Sequence, residues 1–326
     1  MDMSSSVDDG SRGQREEKRI VLVTGCPRSG TTAVGDYLAA GPGSAYLYEP
    51  FNYHSGVRTI RRYFEVPGAG DFTNADLDRL VGGVRAMKLK MKVGLFPEDK
   101  GIKRILKILV GGRSRVSYWR CRIDPWLHTI IWKDPLAAFA AAAIAERHDI
   151  PVLVTVREPL AVAASFKRMN WAFQVEEISG RLREAGIPIA EFPEILDGHL
   201  RVPAINGALI WAMIYTALMR CSVHLPFYFV DIQDIVNSPV DTYRILYSRL
   251  DLEWTSRVEQ RIRRGYQSGV ATDKPLPRRA HVRNRDISAV NTYGREMLTA
   301  DEAAIVHSCT EETWAALQAL PSRIVP

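Results

Sequence analysis

The chain is short of cysteine, of acidic charge between residues 85 and 122, and of any long apolar run. Its four cysteines, Cys26, Cys121, Cys221 and Cys309, stand too far apart for a C-x-x-C metal or redox motif. Reduced thiols in a cytoplasmic setting are the expectation. The longest wholly apolar run, Pro135 to Ala145, is too short to cross a bilayer. The opening MDMSSSVDDGSRGQREEKR has no apolar core, so it does not read as a secretory signal. Residues 1–18 read instead as a disordered tail, and residues 19–326 as a single domain.

The overall charge is +6, yet it is unevenly placed. Residues 85–122 carry six Lys and six Arg against Glu98 and Asp99, a local charge of +10 that leaves the remainder at −4. A nucleic-acid partner is therefore disfavoured, because the basic character is confined to one stretch. That stretch, a basic insertion at about 85–124, contains an expected helix after Pro97. Ile102, Ile105, Leu106 and Leu109 form its apolar stripe, with Lys100, Lys103, Arg104 and Lys107 opposite. It reads either as a rim gathering an anionic or lipid-linked acceptor, or resting on a membrane, or as an amphipathic helix packed on the core. The second reading is preferred.

What is present in abundance is strand–helix alternation. Ile20 to Val23 is a run of consecutive, mostly β-branched residues, as in a buried parallel strand. A helix from Thr31 to Ala40 follows, stopped by Gly41. Strands are expected at Ala45–Tyr48, Thr129–Trp132, Pro151–Val156 and Pro226–Val230. Pro135 should begin a long alanine-rich helix capped by Asp134, and Leu160–Arg168 the next helix. A helix is expected around Trp211–Met219, and another after the capping box Thr299/Glu302. The pattern predicts an α/β fold, a P-loop-NTPase-like three-layer sandwich with a central parallel sheet. Three strand-to-helix corners, Gly25–Thr31, Lys133–Pro135 and Arg157–Pro159, each carry a cation. A parallel sheet would bring them to one edge, where ligands bind.

The first corner, VTGCPRSGTT, is nearly a phosphate-binding loop, but Thr31 stands where the Walker lysine belongs. No obvious strand ends in a metal-binding Asp either. A glycine-containing turn at a helix N-terminus still offers backbone N–H groups to an anion, with Arg28, Thr31 and Thr32 as further donors. A tight glycine turn beside an incidental arginine is the plain alternative.

TGCPRSGTT resembles the 5′-phosphosulfate loop of sulfotransferases that use 3′-phosphoadenosine 5′-phosphosulfate (PAPS), P-[RK]-[ST]-G-[ST]-[ST]. The resemblance implies that Pro27, Arg28, Ser29, Gly30, Thr31 and Thr32 hold the 5′ end of the donor. That family binds the 3′-phosphate with an Arg ending a later strand and a Ser eight residues on. VREPLAVAAS supplies Arg157 and Ser165 at this spacing. The remaining likeness, over about residues 19–315, is diffuse. It includes FVDIQDIVNSP and a basic loop in which Lys274, Arg278 and Arg279 are candidates to close on the nucleotide.

YLYEPFNY supplies Glu49 as a base able to accept the acceptor's proton. Phenol and steroid members of the family use a His two residues after a strand-ending Lys. IIWKDP keeps Lys133 but has Pro135 at the histidine position. This departure favours Glu49 and the carbohydrate-like branch. Lys133 would neutralise the sulfonate oxygens, and Arg28 would meet charge on the bridging oxygen. Asp134 reads as an N-cap, and His54 as a less favoured base. The expected activity is transfer of a sulfonate from PAPS to a hydroxyl of a sugar, glycoconjugate or natural product, with no metal. A small-metabolite P-loop kinase and a non-catalytic glycan- or anion-binding module are the alternatives. Loops 52–84 and 85–124 would set acceptor choice.

Overall fold

The computed structural model describes residues 17–94, 101, 111–189, 198–222, 224–267 and 297–326. Six strands form one sheet: β1 (Arg19–Gly25), β2 (Ser44–Tyr48), β3 (Thr129–Lys133), β4 (Val152–Val156), β5 (Phe227–Asp231) and β6 (Arg323–Ile324). Their order is β2-β3-β1-β4-β5-β6, and every pairing is parallel. The α/β fold with a central parallel sheet is as the alternation implies.

Successive strand residues enter two separate apolar cores. Ile20 and Leu22 of β1, Ile130 and Trp132 of β3, and Val152 and Val154 of β4 pack on one side of the sheet. Val21, Val23, Ile131 and Leu153 pack on the other. A strand buried on both faces needs apolar residues at consecutive positions, which is why RIVLV shows no polar alternation.

The helices flank this sheet. In chain order, those among the described residues are α1 (Thr31–Leu38), α2 (Asn74–Arg85), α3 (Arg113–Ile123), α4 (Ala141–His148), α5 (Pro159–Met169), α6 (Val175–Glu184), α7 (Pro203–Cys221), α8 (Ile232–Asn237), α9 (Pro239–Arg249), α10 (Ser256–Gln267) and α11 (Ala300–Gln318). The capping box at Thr299/Glu302 is formed, with Glu302 N–H donating to Thr299 Oγ1 at 3.2 Å and Thr299 N–H to Glu302 Oε2 at 2.8 Å.

Two features differ from the sequence expectation. The alanine-rich stretch begins as a 3-10 helix, Pro135–Ala140, and becomes α-helical only at Ala141. All six residues of the 3-10 turn are buried, and Asp134 accepts from the Leu136 N–H. Pro135 has no N–H to give, and small alanines let a tighter turn lie close against the strand layer. The second difference is α7, which is long and apolar enough to cross a membrane by length and composition. Its most apolar window is 83% buried, between α5 and α11.

The two described ends of the basic insertion fold onto the body. The Leu89 N–H donates to the Tyr118 hydroxyl at 3.2 Å, and that hydroxyl donates to the Met87 carbonyl at 2.8 Å. Helix α3 runs along edge strand β2, whose Tyr48 N–H donates to Ser117 Oγ at 3.0 Å. An edge that would invite pairing is thereby covered. The helix expected after Pro97, the tail before residue 17, and Lys274, Arg278 and Arg279 lie outside the described residues.

Candidate functional site

The first corner needs glycine at both ends. Gly25 has φ 135°, and a Cβ there would lie 2.4 Å from the Thr155 carbonyl oxygen. Gly30 has φ 89°, and its Cβ would meet Ile232 at 2.5 Å. Between them Arg28 is itself left-handed, φ 76°, a conformation that costs energy in a residue with a side chain. Gly30 caps α1 without any side-chain hydrogen bond, so the first N–H groups of that helix face the corner uncapped by side chains. Ser29 points inward. Its hydroxyl pairs with Thr155 Oγ1 at 2.8 Å and its N–H donates to the Cys26 carbonyl, so it shapes the loop.

The third corner meets the first directly. Arg28 Nε donates to Ser165 Oγ at 2.9 Å, and Arg157 Nη1 donates to the Arg28 carbonyl at 3.1 Å. The Arg28 guanidinium also lies 5.9 Å from the Trp171 ring centre. Arg157 is buried, and its own carbonyl accepts from the Trp211 indole N–H at 2.9 Å. Thus Arg28, Arg157 and Ser165, three residues chosen from two separate motifs, form one cluster.

The second corner carries the carboxylate. Glu49 follows β2 in a left-handed conformation, φ 45°, and its N–H donates to the Lys133 carbonyl at 2.9 Å. Lys133 Nζ donates to Glu49 Oε1 in a buried ion pair. Asn52 Nδ2 donates to the other oxygen, Oε2, at 2.8 Å. Burial pushes the Glu49 carboxyl upward. The Lys133 charge outweighs it, with hydrogen bonds from Lys133, Asn52 and Tyr48, and holds the group below its ordinary value. The group is an ionised carboxylate with both oxygens engaged.

Asp134 ties this corner together from beneath. One oxygen, Oδ2, accepts from the Phe51 N–H at 2.6 Å and from the Trp132 indole at 3.3 Å, and Oδ1 accepts from the Leu136 N–H at 3.1 Å. It is fully buried, and burial followed by the Glu49 charge pushes its carboxyl up to about 7. Asp134 is therefore the N-cap the sequence suggested, and also the anchor of the turn that carries Glu49. The Thr24 hydroxyl donates to the Asp134 carbonyl at 2.8 Å, which joins the first corner to the second.

A continuous set of rings stands beside the two charged clusters. Tyr53 contacts His54 and Tyr63 at ring separations of 4.8 and 5.6 Å, Tyr63 contacts Phe173 at 5.2 Å, and Phe166 contacts both Phe173 and Trp171. The Tyr63 hydroxyl is pushed up to about 12, by burial first and then by the Glu49 charge, which places it in the field of that carboxylate. His54 sits among these rings, half-buried. Asn52, Tyr48, Tyr63 and Trp171 were not singled out from sequence. Only Asn52 had a local signal, as the last residue of a Glu-Pro-Phe-Asn turn.

The three corners bring the uncapped N-terminus of α1, two arginines and an ionised carboxylate to one edge of a parallel sheet. A sequence model described as Sulfotransferase family matches residues 21–256, and the chain belongs to that family of transferases. Solved structures with similar folds include a sulfotransferase domain from the curacin biosynthetic pathway, at 13% identity and TM-score 0.43, covering 90% of this chain and 98% of that one. Sulfotransferase STF9 from Mycobacterium avium aligns at 15% identity and TM-score 0.40, over 92% of this chain and 76% of that one. Sulfotransferase STF1 from Mycobacterium tuberculosis H37Rv aligns at 17% and 0.36, over 76% and 71%. No curated protein matches the chain in sequence.

Proposed function

We propose that the chain transfers a sulfonate from PAPS to a hydroxyl group of a sugar or glycoconjugate. The observation that carries this reading is the joining of two clusters on one sheet edge. Arg28 contacts both Ser165 and Arg157, Glu49 and Lys133 contact each other, and the Thr24–Asp134 hydrogen bond links the two groups. The residues suit the donor: two arginines and the α1 N–H groups offer the positive ends that a nucleotide with separate 3′ and 5′ anionic groups requires. When bound, PAPS supplies the activated sulfonate.

The chain's own groups divide the work. The α1 amides, Thr31 and Thr32 receive the 5′ end, while Arg157 and Ser165 receive the 3′-phosphate. Glu49 accepts the hydroxyl proton as the new oxygen–sulfur bond forms. The bond from sulfur to the bridging oxygen breaks, 3′,5′-ADP leaves, and Arg28 meets the negative charge that gathers on its oxygen. Lys133 starts paired with Glu49. Turning toward the sulfonate oxygens would neutralise them and release the base at the same moment. The rings of Tyr53, Tyr63 and Trp171 favour a sugar, whose C–H faces pack on aromatic surfaces.

Thermal-shift measurement tests the reading. Stabilisation by 3′,5′-ADP in the absence of metal is expected. Stabilisation by Mg-ATP alone would favour the kinase reading instead. Turnover with a panel of sugar acceptors, and none with simple phenols, is the expected result for acceptor class. Donor binding without turnover of any acceptor would favour a binding module.

A further inference from the structure

Five large hydrophobic side chains are exposed among the described residues, and three of them fall within eight positions: Trp119, Ile123 and Trp126, at 44%, 73% and 82% exposure. Trp119 and Ile123 are one helical turn apart on α3, and Trp126 follows just beyond its end, so the three form a stripe rather than scattered singletons. Arginines frame it. Arg120 and Arg122 occupy the last turn, and the Arg122 guanidinium lies 5.4 Å from the Trp119 ring centre. Asp124 is the acidic residue nearest in sequence.

The stripe is remote from the site. Arg113, at the start of α3, lies 4.2 Å from the Tyr48 ring centre, beside the Glu49 corner. The helix then runs away from that corner for about 16 Å, at 1.5 Å per residue. After its far end the chain passes through residues 124–128 into the start of β3, at the opposite edge of the sheet. Nothing in the transfer reaction requires two tryptophans there.

We propose that this stripe docks the protein on an anionic phospholipid surface, with the catalytic edge turned away from the lipid. Indole rings and an isoleucine suit the boundary between headgroups and acyl chains, and arginines suit lipid phosphates. Exposed Lys88, Arg120 and Arg122 supply the complementarity, Arg122 Nη1 donating to the Met87 carbonyl next to Lys88 at 2.9 Å. A two-fold contact with a second copy would bring the same arginines face to face, which disfavours that occupant. The inference does not depend on the identity of donor or acceptor.

The test is co-sedimentation of the full chain with vesicles of phosphatidylglycerol and phosphatidylcholine, compared with phosphatidylcholine alone. Binding to the anionic vesicles, weakened about tenfold or more by high salt, is expected. Combined Trp126→Ser and Ile123→Ser should lower vesicle affinity about tenfold or more while leaving melting temperature and nucleotide binding unchanged. Arg120→Glu is the second variant and should lose affinity for anionic vesicles only. Failure of the parent chain to sediment overturns the proposal. So does sedimentation of both variants at the parent level, or a dimer in light scattering that the serine substitutions dissolve.

Discussion

In the proposed function the site has a donor half and an acceptor half, and the contacts of their cations differ. In the donor half, Arg28 donates to a serine hydroxyl and Arg157 to a peptide carbonyl. In the acceptor half, Lys133 donates to a carboxylate in a buried pair. The buried ion pair must be opened before either of its members can act. The acceptor half is thus built to wait. Two carboxyls within the acceptor half also differ from each other. Glu49 lies below its ordinary value because Lys133 outweighs burial, while Asp134 rises to about 7 because burial dominates.

The sharpest way to break this comparison is Glu49→Gln. Turnover should fall about 10²- to 10⁴-fold, the range for loss of a general base, with 3′,5′-ADP affinity preserved in calorimetry. Equal loss of nucleotide binding would show that the halves are not separable. Lys133→Met should lower turnover about 10²- to 10³-fold, as for other lost charge stabilisers. It should also move the acid limb of the rate profile to higher pH, since the group that depresses the Glu49 carboxyl is gone. An unmoved limb would remove Lys133 as the cause.

Asp134→Asn sharpens the contrast between the carboxyls. A folded value of about 7 against roughly 3.9 unfolded means stability that is complete below pH 4 and is lost as pH rises through 7. Denaturation of the parent, relative to the variant, should therefore become easier as pH rises from about 4 to about 7. Glu49 contributes with the opposite sign, its stability being lost as pH falls. Arg157→Ala should weaken 3′,5′-ADP by about 2 kcal/mol and leave adenosine 5′-phosphosulfate, which has no 3′-phosphate, unaffected. The smallest effect serves as a control: Thr299→Ala removes a helix cap outside both halves. It should cost about 1 kcal/mol in denaturation with normal kinetics.

Much of this was legible in the sequence because its signals are local. Consecutive Ile20 to Val23 required a strand buried on both faces, and the glycines bracketing Arg28 required a sharp turn into a helix. Parallel topology then placed three corners on one edge without any knowledge of side-chain direction. What could not be read depends on partners distant in sequence. The Arg28–Ser165 contact spans 137 residues, and the Asp134 contact to the Phe51 amide spans 83. The 3-10 turn at Pro135–Ala140 escaped because alanine runs favour an α-helix unless the layer beneath dictates otherwise. Exposure of Trp119, Ile123 and Trp126 was equally hidden, since tryptophan in a sequence gives no sign of whether a core will cover it.

Gly35 has a consequence for how such an enzyme changes its acceptors. A Cβ at this position would lie 2.8 Å from the Tyr46 ring and 3.2 Å from Lys133 Cβ, so α1 rests almost backbone-first on the lysine's stem. The spacing from α1 to the first carbons of the Lys133 side chain is consequently set by main chain, while the ammonium beyond them can still turn. Exposed positions of 52–84 can then be varied, by evolution or by a designer, while Asn52 keeps its hold on Glu49. A library that keeps Gly35, Asn52 and the buried residues constant and varies those exposed positions should retain turnover and shift acceptor preference.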